Sequence, residues 1–383
     1  MKLELIATAT FGLEAVVKRE IEALGYKIIK AEDGKVTFMG DERALVRANL
    51  WLRSADRVLV KMAEFEAFEF EELFQQTKAI PWEEWIPIDG YAIVTGSSVR
   101  SQLHSVPACQ SIVKKAIVER LKETYNVDKF VETGAEYTVK ASLLKDRVTI
   151  TIDSSGQGLH KRGYRIADVE APIKETLAAA IVQLSFWKEG RFLVDPCCGS
   201  GTIPIEAAMI GKNMAPGINR KFISETWHVI PKKIWQEERD AATQGVRQDV
   251  DIRIDASDIN PRAVKAAMEN AAQAGVDDCI HFEILDIEKL IAKEKQGIIV
   301  TNPPYGERIG DERDIHKIYS ALARFFKENN TWSLFLITTD KDFEFRVFGR
   351  AADRRRKLYN GRLETCLYQF HGVKPPREPR EEA

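Results

Sequence analysis

Short apolar strands alternate with amphipathic helices from residue 171 onward, and this alternation constrains the fold of the 383-residue chain more than any other feature. Parallel strands joined by helices build a doubly wound α/β sheet, and ligands bind such sheets at the carboxyl ends of the strands. The predicted strands are 191–194, 252–257, 281–285, 297–300, 333–337 and a last one at 363–370, and the predicted helices are 173–187, 202–210, 261–274 and 314–327.

Glycines and acidic residues follow three of these strands. The turn Asp195-Pro196-Cys197-Cys198-Gly199-Ser200-Gly201-Thr202 comes after the first strand, and its glycines permit close approach of the backbone to a ligand. Asp258 follows the second strand and suits the two hydroxyls of a ribose. Asp286 follows the third strand, where a carboxylate can reach an adenine amine.

The turn distinguishes between three classes of ligand. A dinucleotide fingerprint needs a third glycine three residues after Gly201, and that position is Pro204. A P-loop needs the sequence Gly-Lys-Ser/Thr, which the turn lacks. S-adenosylmethionine carries no phosphate and needs only a short turn and the strand-end acids. The pattern therefore favours this cofactor over a plain structural turn.

The tetrapeptide Asn302-Pro303-Pro304-Tyr305 follows the fourth strand. The Asn302 side-chain oxygen and the Pro303 carbonyl can accept the two N–H groups of an amine on a flat base, because the prolines stiffen the backbone and donate no N–H. Tyr305 offers a ring on which the base can stack. This combination predicts a site that polarises an aromatic amine, although a proline-ended strand entering a loop has the same local sequence.

The first 155 residues contain two smaller α+β patterns. The predicted elements of the first are strand 3–8, helix 13–24, strand 35–39 and helix 43–52. Those of the second are strand 58–65, helix 70–79, strand 91–99, helix 106–125, and strands 137–143 and 147–154, joined as a hairpin at Lys145-Asp146.

Charge, hydropathy and cysteine spacing indicate which partners and which kinds of site the chain can have. The 56 basic and 58 acidic residues give a net charge of −2, so a nucleic acid has to be met by local basic patches. The N-terminus has no signal-peptide pattern and no run of about 18 apolar residues occurs, which predicts a soluble, cytoplasmic protein with no membrane partner. The five cysteines form no CxxC pair, which favours free thiols and no metal site.

Three motifs resemble those of class I, amine-directed methyltransferases. They are the turn 195–202, Ser257-Asp258-Ile259-Asn260-Pro261-Arg262, and Thr301-Asn302-Pro303-Pro304-Tyr305-Gly306-Glu307-Arg308. Two segments narrow the resemblance to the THUMP-domain RNA guanine-N2 methyltransferases: Lys161-Arg162-Gly163-Tyr164-Arg165 and Ala171-Pro172-Ile173-Lys174-Glu175-Thr176-Leu177. Nearly the whole chain is similar to the N-terminal half of the fused bacterial large-subunit ribosomal RNA methyltransferase.

The resemblance implies a Rossmann-like class I methyltransferase domain with a seven-stranded doubly wound sheet, preceded by α+β ferredoxin-like and THUMP domains. The implied ranges are 1–56 for the ferredoxin-like domain, 57–155 for THUMP, 156–170 for a linker, 171–373 for the catalytic domain and 374–383 for a disordered tail. A long insertion between Ile210 and Ile252 departs from the family pattern, and we expect its helices to pack on the catalytic domain.

The resemblance also implies roles for individual residues. The implied S-adenosylmethionine ligands are Asp195, Pro196, Cys197, Gly199, Gly201, Thr202, Asp258, Ile259, Asp286, Ile287 and Asn302. The implied catalytic residues are Asn302, Pro303, Pro304 and Tyr305, which would grip the N2 amine of a guanine in 23S ribosomal RNA. The implied RNA contacts are Arg100, His104, Lys114, Lys115, Lys161, Arg162, Tyr164 and Arg165.

Several interpretations stay open. A solvated helix face explains Lys114 and Lys115 equally well, and Arg354-Arg355-Arg356-Lys357 fits either phosphate contacts or a solvated loop. Because Asn-Pro-Pro-Tyr also serves adenine amines, adenine-N6 methylation of DNA is an alternative, against which the RNA-binding front half argues. Guanine-N2 methylation of transfer RNA and a non-catalytic RNA-binding assembly factor are two more. The oligomeric state is open.

Overall fold

The computed structural model describes residues 1–167, 172–305 and 312–373. These residues form two units, each built on one seven-stranded sheet. The first unit comprises Met1–Ala9, Val17–Leu159 and Gly217–Gln244. The second unit comprises Thr10–Val16, His160–Pro216 and the residues from Gly245 onward. The predicted tail, 374–383, lies outside the described residues, as do Ala171 and 306–308 of the quoted motifs.

One continuous sheet, of order β2-β3-β1-β4-β7-β6-β5, forms the first unit. Because β4 pairs with β1 on one side and β7 on the other, the ferredoxin-like and THUMP patterns share it, and β4 runs through the expected boundary at 56/57. The strands are β1 (Leu3–Ala9), β2 (Lys27–Glu32), β3 (Lys35–Gly40), β4 (Ala55–Glu66), β5 (Tyr91–Val99), β6 (Glu136–Leu144) and β7 (Arg147–Asp153). The helices are α1 (Glu14–Ala23), α2 (Glu42–Trp51), α3 (Phe70–Lys78) and α4 (Val106–Tyr125).

The predicted hairpin turn lies between β6 and β7. Lys145 and Asp146 both have left-handed backbone angles, with φ of 52° and 64°. Two consecutive residues with positive φ match the right-handed twist of the flanking strands, so this two-residue turn fixes the register of the hairpin.

Gly217–Gln244, the main part of the insertion, belongs to the first unit, so the expectation that its helices pack on the catalytic domain is wrong. It ends in helix α7 (Lys232–Gln244). The Trp227 ring is 2% exposed and stacks on Tyr137 with centroids 5.2 Å apart. Arg43 on α2 pairs with Glu237 at 2.6 Å and Glu238 at 2.5 Å on α7. These partners lie far away in sequence, so no local pattern reveals them.

The sheet of the second unit has the order β10-β9-β8-β11-β12-β14-β13. Strands β8 to β12 run parallel, and β14 pairs antiparallel with β12 and β13. The strands are β8 (Leu193–Asp195), β9 (Ile254–Asp258), β10 (Ile280–Ile284), β11 (Ile298–Thr301), β12 (Ser333–Thr338), β13 (Arg354–Asn360) and β14 (Leu363–Phe370). The helices are α5 (Glu175–Leu184), α6 (Thr202–Gly211), α8 (Pro261–Ala274), α9 (Glu312–Glu328) and α10 (Phe343–Phe348).

The order in which successive strands are added reverses at the centre of this sheet, although the strands stay parallel. From β8 the order runs to β9 and β10 on one side and to β11 and β12 on the other. This is the topological switch point at which a doubly wound sheet opens a crevice. All four residues of β11 are buried, which holds the residue after it, Asn302, at the carboxyl edge of the sheet.

The described residues show neither a membrane-spanning helix nor a cluster of metal ligands. Over residues 1–167, 172–305 and 312–373, no helix combines the length and apolarity needed to span a bilayer. In the same part of the chain, no three His, Cys, Asp or Glu side chains come together in a way that could hold a metal ion.

Candidate functional site

A cleft of about 310 Å³ opens at the carboxyl ends of β8, β9, β10 and β11. The parallel strands bring residues that are far apart in sequence to this single edge. Of the expected cofactor ligands, all but Gly201 line it: Asp195, Pro196, Cys197, Gly199, Thr202, Asp258, Ile259, Asp286, Ile287 and Asn302. Pro304 of the expected catalytic residues lines it as well.

The glycine turn after β8 shapes one wall of the cleft. Gly199 and Gly201 have φ of 54° and 83°, which favours glycine at both positions. A Cβ on Gly201 would lie 2.9 Å from the Cβ of Ala267, so the missing side chain allows α6 and α8 to approach. The role of Gly201 is therefore to pack the turn, and the cleft wall is made by its neighbours.

Asp195 ends β8 and is buried, with 1% of its surface exposed. Thr301 Oγ1 donates a hydrogen bond to Asp195 Oδ1 at 2.8 Å, and the backbone N–H of Cys197 donates to the same oxygen at 3.2 Å. Burial outweighs these two donors and raises the pKa of Asp195 to about 7. A cationic group placed at this carboxylate would stabilise its charged form.

Two further carboxylates stand at the ends of β9 and β10. Asp258 accepts hydrogen bonds from the backbone N–H of Gly199 at 3.0 Å and of Asn260 at 2.9 Å. Asp286 accepts from the backbone N–H of Glu288 at 3.0 Å. Backbone donors fix the orientation of both side chains before any ligand is bound, which lowers the entropic cost of binding.

Asn302 contains an unsatisfied buried acceptor. Its Oδ1 atom is buried, yet no hydrogen-bond donor reaches it from the described part of the chain. Leaving such an atom unpaired costs about 1–3 kcal/mol, so buried polar atoms of this kind are usually satisfied by a ligand or water. An N–H group arriving in the cleft would satisfy Asn302.

Tyr305 differs from the expectation drawn from sequence. Its side chain is 3% exposed, and Asn360 Nδ2 donates to its hydroxyl at 3.2 Å. The ring therefore does not present an open face to a base in this structure, and the predicted stacking surface is wrong for this conformation. Asn360, at the end of β13, is a neighbour of the tetrapeptide that sequence reasoning missed.

The thiols of the turn are poor nucleophiles. Burial raises the pKa of Cys197 and of Cys198 well above the usual range for cysteine. The nearby carboxylate of Asp195 raises both further. Since the thiolate is the reactive form, neither side chain is set up for covalent catalysis at neutral pH.

The residues present fit S-adenosylmethionine. Its ammonium, ribose hydroxyls and adenine amine are donors, and the cleft offers acceptors at Asp195, Asp258 and Asp286. Ile259 and Ile287 add apolar surface for the flat adenine ring.

Three family models match the chain. A model described as an RMKL-like methyltransferase domain matches residues 162–369. The chain belongs to the RMKL-like methyltransferase family. Models described as the RlmL ferredoxin-like domain and the THUMP domain match residues 4–59 and 67–153 of this RMKL-like methyltransferase. The predicted family, fold class and S-adenosylmethionine-dependent methyltransferase activity are confirmed.

Two relatives are similar to this RMKL-like methyltransferase over most of its length. The putative RNA methyltransferase YpsC of Bacillus subtilis (strain 168) is 50% identical over 385 residues, which cover 100% of both chains. The ribosomal RNA large subunit methyltransferase K/L of Psychromonas ingrahamii is 33% identical over 96% of this chain and 50% of its own length. The chain thus spans half of that relative.

Two solved structures have the same fold. A predicted N6-adenine-specific DNA methylase from Listeria monocytogenes is 48% identical, with a TM-score of 0.92 over 97% of each chain. SMU.472, a putative methyltransferase complexed with SAH, is 41% identical, with a TM-score of 0.92 over 98% of this chain and 99% of that one.

Two of the expected RNA contacts are buried in the RMKL-like methyltransferase. Arg162 Nε donates to Glu206 Oε1 at 3.3 Å and the Tyr164 hydroxyl donates to the same atom at 3.1 Å, with all three side chains inside the second unit. The expectation that Arg162 and Tyr164 contact RNA is therefore wrong. Their sequence resembles a basic, aromatic surface, but Glu206 on α6 supplies a buried counter-charge.

Arg165 is mostly buried and hydrogen-bonds to the glycine turn 195–202, which we call the cofactor turn. Its guanidinium donates to Ser200 Oγ and Thr202 Oγ1, both at 2.9 Å, and to Glu175 Oε1 at 2.8 Å. Asn270 on α8 holds the same turn, because its Nδ2 donates to the Ser200 carbonyl at 3.1 Å. Sequence reasoning missed Asn270, which has no motif of its own. The expected RNA contact of Arg165 is replaced by these bonds.

The other expected RNA contacts lie at or near the protein surface. Lys161 is exposed in the second unit. In the first unit, Arg100 follows β5 with φ of 51°, and His104 is exposed in the same loop. Lys115 lies over the Phe74 ring at 5.4 Å, and Lys114 is engaged by Glu132 and the Ala92 carbonyl. Lys114 is consequently the least available of these five to a phosphate.

Proposed function

We propose that this RMKL-like methyltransferase transfers the methyl group of S-adenosylmethionine to the N2 amine of a guanine in 23S ribosomal RNA. The observation that carries the proposal is the unsatisfied, buried Oδ1 atom of Asn302 at the edge of a cleft lined by three carboxylates. An amine N–H is the group that this acceptor lacks. The THUMP match in the first unit and the ribosomal RNA named for the K/L relative support an RNA substrate.

In this proposal, the carboxylates hold the methyl donor. Asp195 binds the ammonium of its methionine part, Asp258 binds the ribose hydroxyls, and Asp286 binds the adenine amine. When bound, S-adenosylmethionine supplies an electrophilic methyl group on a sulfonium. The glycine turn, with Gly199 at its tip, lets the backbone approach this ligand closely.

Asn302 prepares the acceptor amine. Its Oδ1 atom accepts one N–H and the Pro303 carbonyl accepts the other, so the nitrogen lone pair is withdrawn from the ring and aimed at the methyl group. The new N–C bond forms as the S–C bond breaks, S-adenosylhomocysteine leaves, and the amine then loses its proton to solvent. Alignment of this kind contributes about 7–11 kcal/mol to a reaction barrier.

The proposal also includes how the target base and the RNA backbone are bound. A paired guanine has to leave its stack to reach the cleft, so an unpaired or flipped base is required. Tyr305 stacks on that base only if its bond from Asn360 opens. Exposed Arg100, His104, Lys115 and Lys161 serve as phosphate contacts, and we place the enzyme in the cytoplasm, where ribosomal RNA is available.

Adenine-N6 methylation of DNA is the second candidate, because the Listeria relative is described as an adenine-specific DNA methylase. Labelled S-adenosylmethionine, offered with ribosomal RNA, transfer RNA and DNA from a deletion strain, separates the candidates. We expect label in 23S ribosomal RNA alone. Label confined to DNA or to transfer RNA would contradict the proposal, and no label in any of the three would favour an assembly factor.

A further inference from the structure

A short N-terminal segment, Thr10–Val16, leaves the first unit and joins the second. Leu13 and Val16 are fully buried in the core of the second unit, against residues that include Leu358 of β13. Arg356 Nη1 donates to the Gly12 carbonyl at 2.9 Å. The segment is therefore attached to β13 by both apolar packing and a hydrogen bond.

Gly12 allows this attachment to be close. Its φ of 90° favours glycine, and a Cβ there would lie 2.6 Å from the carbonyl oxygen of Lys357. Any other residue would push the segment away from the strand. The backbone on either side of Gly12 is thus held in one place relative to β13.

Phe11 projects from this fixed segment. Its side chain is 45% exposed, and its ring meets the Tyr359 ring edge to face, with centroids 6.2 Å apart and planes at 79°. Single exposed apolar side chains are common on this protein, but Phe11 is paired with a second aromatic ring on a rigid support. An open ring face of this kind is what a nucleotide base stacks on.

The ring pair lies close to the proposed catalytic residues. Tyr359 is followed by Asn360, whose side chain donates to the Tyr305 hydroxyl at 3.2 Å. Neighbouring residues of a strand are about 3.3 Å apart along the chain and their side chains point to opposite faces, so Tyr359 and Asn360 lie on the two faces of the edge strand β13. Successive stacked nucleotides of one strand are about 3.4 Å apart. An RNA strand that passes over the edge of β13 would therefore bring a nucleotide a few positions from the target base to the ring pair.

Basic residues predominate in the hairpin that carries Tyr359, although the Tyr359 hydroxyl itself donates to Glu364 at 3.5 Å. Residues 354–364 contain five basic side chains and one acidic one. Lys357 lies over the Tyr359 ring at 5.4 Å and also pairs with Glu364. Arg354 and Arg362 are exposed and make no side-chain hydrogen bond or salt bridge within the described ranges. Arg362 lies in the hairpin turn that follows Tyr359, and a cation there suits the phosphate of a nucleotide whose base is stacked.

We infer that Phe11 and Tyr359 form a stacking platform for an unpaired RNA nucleotide a few positions from the methylated base. This inference rests on the proposed function and names the part of the substrate that this face binds. The ring pair recognises any base, because every base has a π face, and it positions the strand instead of reading its sequence. Phe11 and Tyr359 are thus positioning residues that act on the substrate a few nucleotides from the reacting amine.

The test uses the full chain, S-adenosylmethionine and 23S ribosomal RNA from a deletion strain. Phe11→Ala should raise the KM for RNA about 5-fold to 100-fold. It should leave kcat and the Kd for S-adenosylmethionine within about 2-fold. Phe11→Trp should preserve the KM. Phe186→Ala is the matched control, since Phe186 is 53% exposed and lies at the end of the sheet opposite the cleft, between α5 and β8.

Ultraviolet cross-linking supplies a second readout. We expect a cross-linked nucleotide on peptides that contain Phe11 or Tyr359. If Phe11→Ala lowers the melting temperature, Tyr359→Leu, which keeps an apolar side chain, replaces it. An unchanged KM in the stable variant, or RNA cross-links that avoid both residues, would overturn the platform.

The two proposals fail in different ways. If the wild-type enzyme labels no ribosomal RNA, the proposed function is wrong, and the platform is then tested on whichever nucleic acid accepts the label. If ribosomal RNA is labelled and Phe11→Ala behaves as wild type, the platform alone is wrong.

Discussion

At the scale of single residues, Asn302 carries the chemical argument. Its buried Oδ1 atom has no hydrogen-bond donor among the described residues, and an N–H group of the substrate would satisfy it. In the proposed function, the cofactor is held by the three carboxylates of the cleft, Asp195, Asp258 and Asp286, and not by Asn302. Catalysis and cofactor binding should therefore separate at this residue.

Asn302→Ala should lower kcat roughly 10²–10³-fold, which is the usual loss when one catalytic hydrogen-bond partner is removed. The Kd for S-adenosylmethionine, measured by calorimetry, should change less than about 2-fold. Asn330→Ala is the matched control, because Asn330 is exposed beyond the end of α9. A parallel loss of turnover and cofactor affinity would show that Asn302 acts mainly on the cofactor.

Asp195 makes stability depend on pH. Burial raises its pKa to about 7, compared with 3.8 in a solvated carboxyl, so the folded protein binds this proton more tightly than the unfolded chain does. Stability of the ligand-free enzyme therefore falls as pH rises from about 4 to about 7. Asp195→Asn removes that loss.

We expect the melting temperature of Asp195→Asn, relative to wild type, to be higher at pH 8 than at pH 5. The Kd for S-adenosylmethionine should decrease in the wild type as pH rises from 6 to 8, because the ionised carboxylate binds an ammonium better. Asp195→Asn should show weak binding without this pH dependence. An equal melting difference at both pH values would contradict the role of burial.

Arg165 and Lys161 are four residues apart and should behave differently. Arg165→Lys keeps a charge near Glu175 but cannot reproduce the planar contacts to Ser200 and Thr202, so the cofactor turn should loosen. We expect the Kd for S-adenosylmethionine to rise about 10-fold with little change in RNA affinity. Lys161→Ala should weaken RNA binding alone. An Arg165→Lys variant that loses RNA affinity instead would restore the surface role first predicted from sequence.

At the scale of elements, the insertion stabilises the first unit. Trp227 stacks on Tyr137, meets Trp85 edge to face, and its Nε1 atom donates to the Glu136 carbonyl at 3.0 Å. Removing a buried ring of this size leaves a cavity and costs about 3–5 kcal/mol. Helix α7 adds the ion pairs with Arg43.

Trp227→Ala should therefore lower the free energy of unfolding of the full chain by about 3–5 kcal/mol, measured by urea titration. At 20 °C, where the variant is still folded, its Kd for S-adenosylmethionine should equal that of wild type. The cleft residues belong to the other unit, so a large loss of cofactor affinity in folded protein would contradict the assignment of the insertion to the first unit.

Local patterns predicted most elements because apolar periodicity and turn residues act over short distances. Strands β5 and β14 and helices α4 and α8 have the expected bounds. Strand β2 was missed because its residues are exposed or half-exposed and lack an apolar face. Strand β13 was read as a basic surface segment, since Arg354 to Lys357 gives no alternation of polar and apolar residues.

Long-range packing was the part that local patterns could not reveal. Segments Thr10–Val16 and Gly217–Gln244 each belong to a different unit from their neighbours in sequence. The same limit explains Arg162 and Tyr164, whose partner Glu206 is more than 40 residues away. Strand-end residues were predictable because parallel strands always align their carboxyl ends.

At the scale of the whole molecule, the net charge is −2, so RNA has to be bound by local basic surfaces and not by the overall charge of the protein. Phosphate contacts release counterions, so RNA affinity has to fall as salt rises. The chain combines a THUMP match, a ferredoxin-like match and a methyltransferase match in one polypeptide. That combination supports RNA as the substrate, and it leaves the identity of the base to direct measurement.

Nucleoside mass spectrometry of the methylated product tests the central claim most directly. Ribosomal RNA from a deletion strain is incubated with the purified enzyme and S-adenosylmethionine, digested, and compared with the same reaction run with Asn302→Ala. The account predicts N2-methylguanosine from 23S ribosomal RNA with the wild-type enzyme and almost none with the variant. N6-methyladenine as the product, or equal yields from both enzymes, would contradict it.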